Sequence, residues 1–158
     1  MQKLDSIELA KYILAKVGHP TNHLKLQKLV YYVEAYHLSY FNESIIDDDF
    51  EAWVHGPVIR KVWNRFSNRI ALYDQIQLDT YQAMKVVGEV ESKISDEQFD
   101  LIENIISSLG MKSGYYLECM THEELPWQEA RKGLPYDVRS ARKISKETMK
   151  RFYRGLTA

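Results

Sequence analysis

Two side chains close together in the sequence, Cys119 and His122, could carry nucleophilic chemistry. They are three residues apart in a segment with helical spacing, so both could lie on one face of a helix. A histidine beside a cysteine can activate the thiol for attack on a substrate. A cysteine buried near a polar helix end is the commoner arrangement, and we favour it here. The pair alone therefore does not predict an enzyme.

Other signs of catalysis, metal binding or nucleotide binding are missing from the sequence. It contains no phosphate-binding glycine loop, no dinucleotide-binding glycine pattern, no nucleophile elbow and no zinc-protease motif. The acidic turn at 47–49 lacks the alternating ligand pattern of a calcium loop. The histidines are too dispersed to form a metal site with the single cysteine: His19, His23, His37, His55 and His122. We therefore expect no enzymatic activity, no cofactor and no metal.

Length and composition predict one intracellular domain. The chain has 158 residues, which suffice for a single domain with its own core. With one cysteine it forms no internal disulfide. Charges at Lys3 and Asp5 precede any apolar run, and no stretch approaches the roughly 18 apolar residues of a membrane span. We expect a soluble cytoplasmic protein with no membrane partner.

The formal net charge of −1 conceals an uneven distribution. Residues 42–51 contain acidic but no basic side chains, whereas residues 131–154 are strongly basic. Such asymmetry can steer a charged partner. Because the charges alternate with core-type residues, we favour two solvated surfaces of different sign.

Helical spacing of apolar residues predicts the first two elements that would position these side chains. A helix from Asp5 to Val17 begins with a capping residue and is ended by Gly18. A longer helix follows Thr21 or Asn22. Its apolar stripe comprises Leu26, Leu29, Val30, Val33, His37 and Tyr40, while Lys25, Lys28 and Glu34 fall mostly outside it. This pattern predicts a helix with one solvated side.

The remaining segments complete a mainly α fold. A short strand or extended connection is predicted at 49–54, and a third helix from Pro57 to about Phe66. Residues 70–92 fit neither period and are ambiguous between short strands and a short helix. Further helices are predicted at 95–109 with a Ser95–Gln98 capping box, through 115–120, from Pro126, and after Ser145. We expect a single compact helical domain over residues 1–158, with about six to seven helices and a minor strand element near 49–54 and, as an alternative, within 70–92.

Three stretches of the sequence together carry a family resemblance. They are residues 25–32, residues 49–58, and residues 117–131, which include Thr121, His122, Pro126 and Trp127. In this order and at these separations they resemble the Panacea domain family, the SocA-like antitoxins, which are also described as phage-associated proteins. Leu125 departs from the family pattern, in which a small residue commonly precedes the Pro-Trp pair.

The resemblance implies a partner rather than a substrate. It implies an antitoxin that neutralises a toxin encoded by an adjacent gene through direct protein binding. A cytoplasmic protease is a further candidate partner, because some relatives are thought to hand the toxin to one. The candidate toxin-binding residues come from the family motifs and from the adjacent tyrosines: Lys25, Lys28, Tyr31, Tyr32, Trp53, His55, Thr121, His122 and Trp127.

Helix geometry and the usual burial of each residue type indicate which of these candidates can reach a partner. Tyr31 and Tyr32 point about 100° apart on a helix, so we expect one to be buried and the other to be available to a partner. The two lysines suit either a polar contact strip or a solvated face. We expect both tryptophans to pack as anchors, and Thr121 and His122 to cap the following turn.

The sequence leaves two other functions open. The first two helices loosely resemble a helix-turn-helix, which would suit a DNA-binding transcriptional autoregulator. The second helix offers only Lys25 and Lys28 before it turns aromatic, so we expect no nucleic-acid partner. An enzyme that uses Cys119 or His122 is the third possibility.

Overall fold

Helices dominate the computed structural model of the chain, which describes residues 1–67 and 73–157. These residues form eight helices: α1 (Ser6–Val17), α2 (His23–Phe41), α3 (Arg60–Phe66), α4 (Thr80–Glu91), α5 (Asp96–Leu109), α6 (Gly114–His122), α7 (Leu125–Ala130) and α8 (Lys146–Thr157). Four short strands pair antiparallel in two sheets, β1 (Thr21–Asn22) with β4 (Gln75–Ile76) and β2 (Glu51–Trp53) with β3 (Gly56–Val58). The predicted mainly α class is confirmed.

Helix α2 forms the centre of the fold, and α1, α5, α6 and α8 pack around it. Its start is fixed by Asn22, whose side chain accepts from the Lys25 backbone N–H at 2.8 Å. Sixteen of its 19 residues are buried, so the predicted solvated side is wrong. Tyr40 also departs from the predicted stripe, because it lies at the end of the helix and is 72% exposed.

Capping boxes fix the residues at which α4 and α5 begin. Ser95 and Gln98 form the predicted capping box at the start of α5. A second box, of Asp79 and Gln82, starts α4. The ambiguous segment 70–92 thus contains strand β4 followed by a helix of three turns, and its residues 70–72 lie outside the described residues.

The hairpin of β2 and β3 replaces the start of the predicted third helix. Pro57 lies in β3, and α3 begins only at Arg60. Side chains of α2 hold this backbone extended, because Gln27 Oε1 accepts from the Ile59 N–H at 2.9 Å and Lys28 Nζ donates to Pro57 O at 3.0 Å. The tertiary bonds therefore override the local preference of proline for a first helical turn.

The chain returns to the centre through its last segment. The Ile144 N–H donates to Phe50 O and the Ala52 N–H to Arg142 O, each at 2.8 Å, so the approach to α8 runs along β2. Ser145 then caps α8, as predicted, by accepting from the Thr148 N–H. Helix α8 makes its main packing against α2.

Candidate protein-binding surface

Lys28 is completely buried beneath the hairpin. Besides the bond from its Nζ to Pro57 O, its Cε would lie only 2.5 Å from a Cβ placed on Gly56. Burial lowers the pKa of Lys28 to about 7, and the charge of Glu118 opposes that effect. This side chain supports the hairpin from inside and presents no surface to a partner.

Lys25 is also committed to the interior. Its Nζ donates to the carbonyl oxygen of Gly110, at the end of α5, and burial lowers its pKa. Such a bond satisfies a carbonyl that the helix end leaves open. The polar strip or solvated face expected from Lys25 and Lys28 is therefore not formed, because other helices cover both positions.

Tyr31 and Tyr32 are both fully buried, which corrects the expectation that one of them faces a partner. The Tyr32 hydroxyl donates to Glu124 Oε1 at 2.6 Å, and the Tyr153 hydroxyl lies 2.9 Å from the same oxygen and 3.0 Å from the Tyr31 hydroxyl. Burial raises the pKa of Glu124, against these hydrogen bonds. Tyr153 of α8, near the far end of the chain, packs edge-on against both rings.

Thr121 and His122 hold the third motif together within its own helices. The Thr121 hydroxyl donates back to Glu118 O at 2.8 Å, and the His122 ring stacks on Trp127 with centroids 4.1 Å apart. Neither side chain caps α7, whose N-cap Glu124 makes no side-chain cap bond. The predicted capping role is wrong because the hydroxyl turns toward the preceding turn.

The second and third motifs meet through the two tryptophans. Trp127 is buried, and its Nε1 donates to Trp53 O at 2.8 Å. Trp53 is half-buried, with the Arg60 guanidinium 5.2 Å from its ring centre. Beside them the His55 side chain is 47% exposed, and its Nδ1 lies 3.1 Å from Glu118 Oε1. Of the predicted candidates, only Trp53, His55 and His122 thus retain substantial surface.

Three exposed tyrosines that lie outside the family motifs surround these residues. Tyr73, Tyr115 and Tyr136 are 63%, 72% and 68% exposed. The Tyr73 ring centre lies 6.5 Å from that of His55, and the Tyr136 ring centre lies 6.0 Å from that of His122. We call these three tyrosines, with the two histidines between them, the tyrosine surface. No spacing rule relates residues so far apart in the chain, so only the fold brings them together.

Arg131 determines where Tyr136 lies. Its guanidinium is buried and donates to Ala52 O at 2.8 Å and to Val138 O at 2.6 Å, with two longer bonds to Pro135 O and Tyr136 O. These bonds fold residues 135–138 around one cation. The one indication of this role in the sequence is that Arg131 is the last residue of the third family stretch, residues 117–131.

The structure does not assemble the Cys119 and His122 pair as a nucleophile and its base. Within the described residues, His122 Nε2 has no hydrogen-bond partner. The ring bonds instead to the Val54 backbone. Burial lowers the pKa of His122. Cys119 instead interacts with the Tyr115 hydroxyl, whose pKa this contact raises.

Two absences hold for residues 1–67 and 73–157. Among them, no group of three or more histidine, cysteine or carboxylate side chains is placed to hold a metal ion. None of the helices in this part of the chain combines the length and apolar character needed to cross a membrane.

The helix-turn-helix interpretation of the first two helices is wrong. The recognition helix of a helix-turn-helix must expose one face to the major groove of DNA. Helix α2 is covered along nearly its whole length, and its two lysines are bound to backbone carbonyls inside the protein.

Comparison with known proteins agrees with the motifs that meet at this surface. The sequence profile of the family described as "Antitoxin SocA-like, Panacea domain" matches residues 26–128, more than half of the chain. The chain is similar to "Antitoxin SocA" of Caulobacter vibrioides (strain NA1000 / CB15N), with 26% identity over 143 residues that cover 87% of this chain and 71% of that protein. A comparison with solved structures gave no significant match.

Proposed function

Because the chain belongs to the family of SocA-like antitoxins that carry the Panacea domain, we propose that it is the antitoxin of a toxin–antitoxin pair and neutralises its toxin by direct binding. Family membership is the observation that carries this proposal. A relative that is itself named an antitoxin aligns with most of the chain, which supports it further. Both proteins of the pair would act in the cytoplasm, and the toxin would be encoded by an adjacent gene.

We assign the toxin contact to the tyrosine surface and the adjoining Trp53. Tyrosine offers a large contact area with a polar tip and loses little conformational entropy, which is why it is enriched at protein interfaces. The other candidates from the sequence would act indirectly by holding this surface in place: Lys25, Lys28, Tyr31, Tyr32, Thr121 and Trp127.

The first test is growth of a bacterial host that expresses the adjacent reading frame, with and without this chain. An antitoxin should relieve the growth arrest, and the two purified proteins should co-elute as a complex. An arrest that persists despite well-expressed, folded protein would refute the proposal for that pair.

A pair of double variants tests the assigned surface. Tyr115→Ala with Tyr136→Ala should abolish rescue, whereas Tyr40→Ala with Tyr81→Ala should preserve it. The control removes two tyrosines of similar exposure, 72% and 74%, from α2 and α4. Equal rescue by both double variants would move the contact elsewhere.

The same assay distinguishes direct neutralisation from delivery to a protease. Under direct binding, rescue should persist in a host that lacks its main cytoplasmic proteases, with the toxin level unchanged. Rescue that disappears in this host would favour the adaptor mechanism, in which a protease completes the neutralisation.

A further inference from the structure

Glu118 lies at the floor of the tyrosine surface. Tyr115, Glu118 and His122 are spaced i, i+3 and i+7 along α6, so they follow one another on a single face of the helix. The Glu118 side chain is 10% exposed. Tyr136 closes the far end of this row, next to the ring of His122.

The carboxylate of Glu118 is left with spare acceptor capacity. Within the described residues, the Glu118 carboxylate makes one hydrogen bond, with His55 Nδ1 at 3.1 Å. A carboxylate has about four acceptor positions, and buried carboxylates are normally satisfied by several donors. Glu118 therefore offers a strong acceptor at a place where the surrounding surface consists mainly of aromatic rings.

The charged or titratable groups that interact with Glu118 include Lys28, His55 and His122. Lys28 is the cation beneath the surface, but it is completely buried and its Nζ donates to Pro57 O. Burial lowers the pKa of Lys28, and the charge of Glu118 opposes that effect. A cation that arrives from outside would find a carboxylate together with electron-rich tyrosine faces.

We propose that the tyrosine surface receives an arginine side chain of the toxin, with its guanidinium bound to Glu118 and stacked against Tyr115 and Tyr136. Arginine fits this chemistry better than lysine, because a planar guanidinium donates to a carboxylate while it stacks on aromatic rings. The assignment of the arginine to the toxin rests on the proposed function. The site itself is defined by this chain alone.

The decisive variant is Glu118→Gln, which keeps the size of the side chain and removes its charge. Its affinity for the purified toxin should fall by about tenfold or more, as expected for a charge-assisted hydrogen bond. Asp100→Asn, an exposed carboxylate on α5, is the matched control and should change the affinity less than about twofold. Thermal unfolding of each variant should verify that it folds.

A second measurement does not require the toxin. The full chain, with labelled tyrosine rings, is titrated with N-acetyl-arginine methylamide and, separately, with the glutamine and lysine analogues while NMR spectra are recorded. The arginine compound should shift the Tyr115 and Tyr136 resonances selectively, and Glu118→Gln should abolish the shifts. Should Glu118→Gln fail to fold, Tyr136→Ala takes its place.

The outcomes separate this inference from the proposed function. If the wild-type chain neutralises the toxin but Glu118→Gln binds as tightly, the arginine site is overturned and the antitoxin function stands. If the adjacent protein does not bind at all, the proposed function fails for that pair, and the titration alone decides the site. Equal shifts with the glutamine analogue, or no shifts, would overturn the site in either case.

Discussion

The packing of Lys28 against Gly56 explains two motif residues at once. Gly56 has φ +105°, in the region that favours glycine, and a Cβ there would lie 2.5 Å from Lys28 Cε and 2.9 Å from Thr121 Oγ1. The hairpin can therefore approach α2 closely enough for Lys28 to bind Pro57 O. At this position the family motif encodes a backbone contact with a buried lysine.

Gly56→Ala should destabilise the protein by about 2 kcal/mol or more, because it combines a positive φ with a steric clash. Gly88→Ala is the control: Gly88 lies in α4 with nothing within 4 Å of its Cβ position, and the change should stabilise by about 0.5–1 kcal/mol. Urea unfolding of both variants measures the difference. Equal effects would contradict the packing argument.

Buried histidines should make stability depend on pH. Gln98 Oε1 accepts from the Ser95 N–H, which turns its amide nitrogen toward His37 Nε2 at 3.0 Å, while His37 Nδ1 faces Glu43 O at 2.6 Å. The neutral His37 ring donates from Nδ1 and accepts at Nε2, which satisfies both contacts. A proton on Nε2 would instead place an N–H of the ring against the N–H of the Gln98 amide. Burial lowers the pKa of His37, and it lowers that of His23 to about 4.

The free energy of unfolding should therefore fall as the pH drops from about 6.5 toward 4. In that window the unfolded chain binds protons that the folded chain excludes, so this contribution is complete above the unfolded pKa and is lost below it. Each excluded proton contributes a slope of at most about 1.4 kcal/mol per pH unit. His37→Gln should reduce the slope measured by urea unfolding; an unchanged slope would show that His37 does not contribute.

At the scale of elements, the segment 131–145 has no helix or strand, yet it carries part of the tyrosine surface. The Arg131 guanidinium supplies the hydrogen bonds that regular structure would otherwise provide, and it also lies 5.3 Å from the Trp127 ring centre. A buried cation bound to carbonyl oxygens can order such a segment because it satisfies several acceptors from one point.

Arg131→Met should destabilise the protein by about 3 kcal/mol, because it leaves several carbonyl oxygens without a donor. Hydrogen exchange of residues 132–139 should increase more than that of α2. Arg139→Met, at an exposed position of the same segment, is the control and should change stability by less than about 0.5 kcal/mol. Comparable losses in the two variants would refute the role assigned to Arg131.

At the scale of the whole molecule, one ion pair joins the centre to the last helix. Glu34 in α2 is fully buried, and its Oε2 accepts from Lys146 Nζ in α8 at 2.7 Å. Its other oxygen accepts from the Ile45 N–H at 2.8 Å. Glu34 and Lys146 are more than a hundred positions apart in the sequence, and their opposite charges neutralise each other in the folded protein.

Lys146→Met should destabilise the fold by about 3 kcal/mol at neutral pH, because Glu34 would remain buried without its cation. Burial raises the pKa of Glu34, so the loss relative to wild type should shrink as the pH falls and the carboxyl accepts a proton. Lys150→Met is the control on the same helix, since its partner Glu147 is 59% exposed, and should cost less than about 1 kcal/mol. Denaturation at several pH values measures both effects.

The sequence by itself determined the helical class, most helix ends and the family. Those features depend on residues close together in the chain, as with Ser95 and Gln98 at α5 or Asn22 at α2. The family resemblance also needed only the order of three motifs. Local periodicity and capping act within a few residues, and a single sequence reveals them directly.

Only the tertiary structure decided which motif residues are buried and which reach the surface. Lys28 and Tyr32 appear in the sequence as candidates for contact, yet both are buried, because α6 and α8 pack on α2 from distant parts of the chain. Conversely, nothing in the sequence marks Tyr115 and Tyr136 as neighbours. They interact because Arg131 folds residues 135–138 beside α6. Burial depends on every element packed around a residue, and for the central helix those elements come from both ends of the sequence.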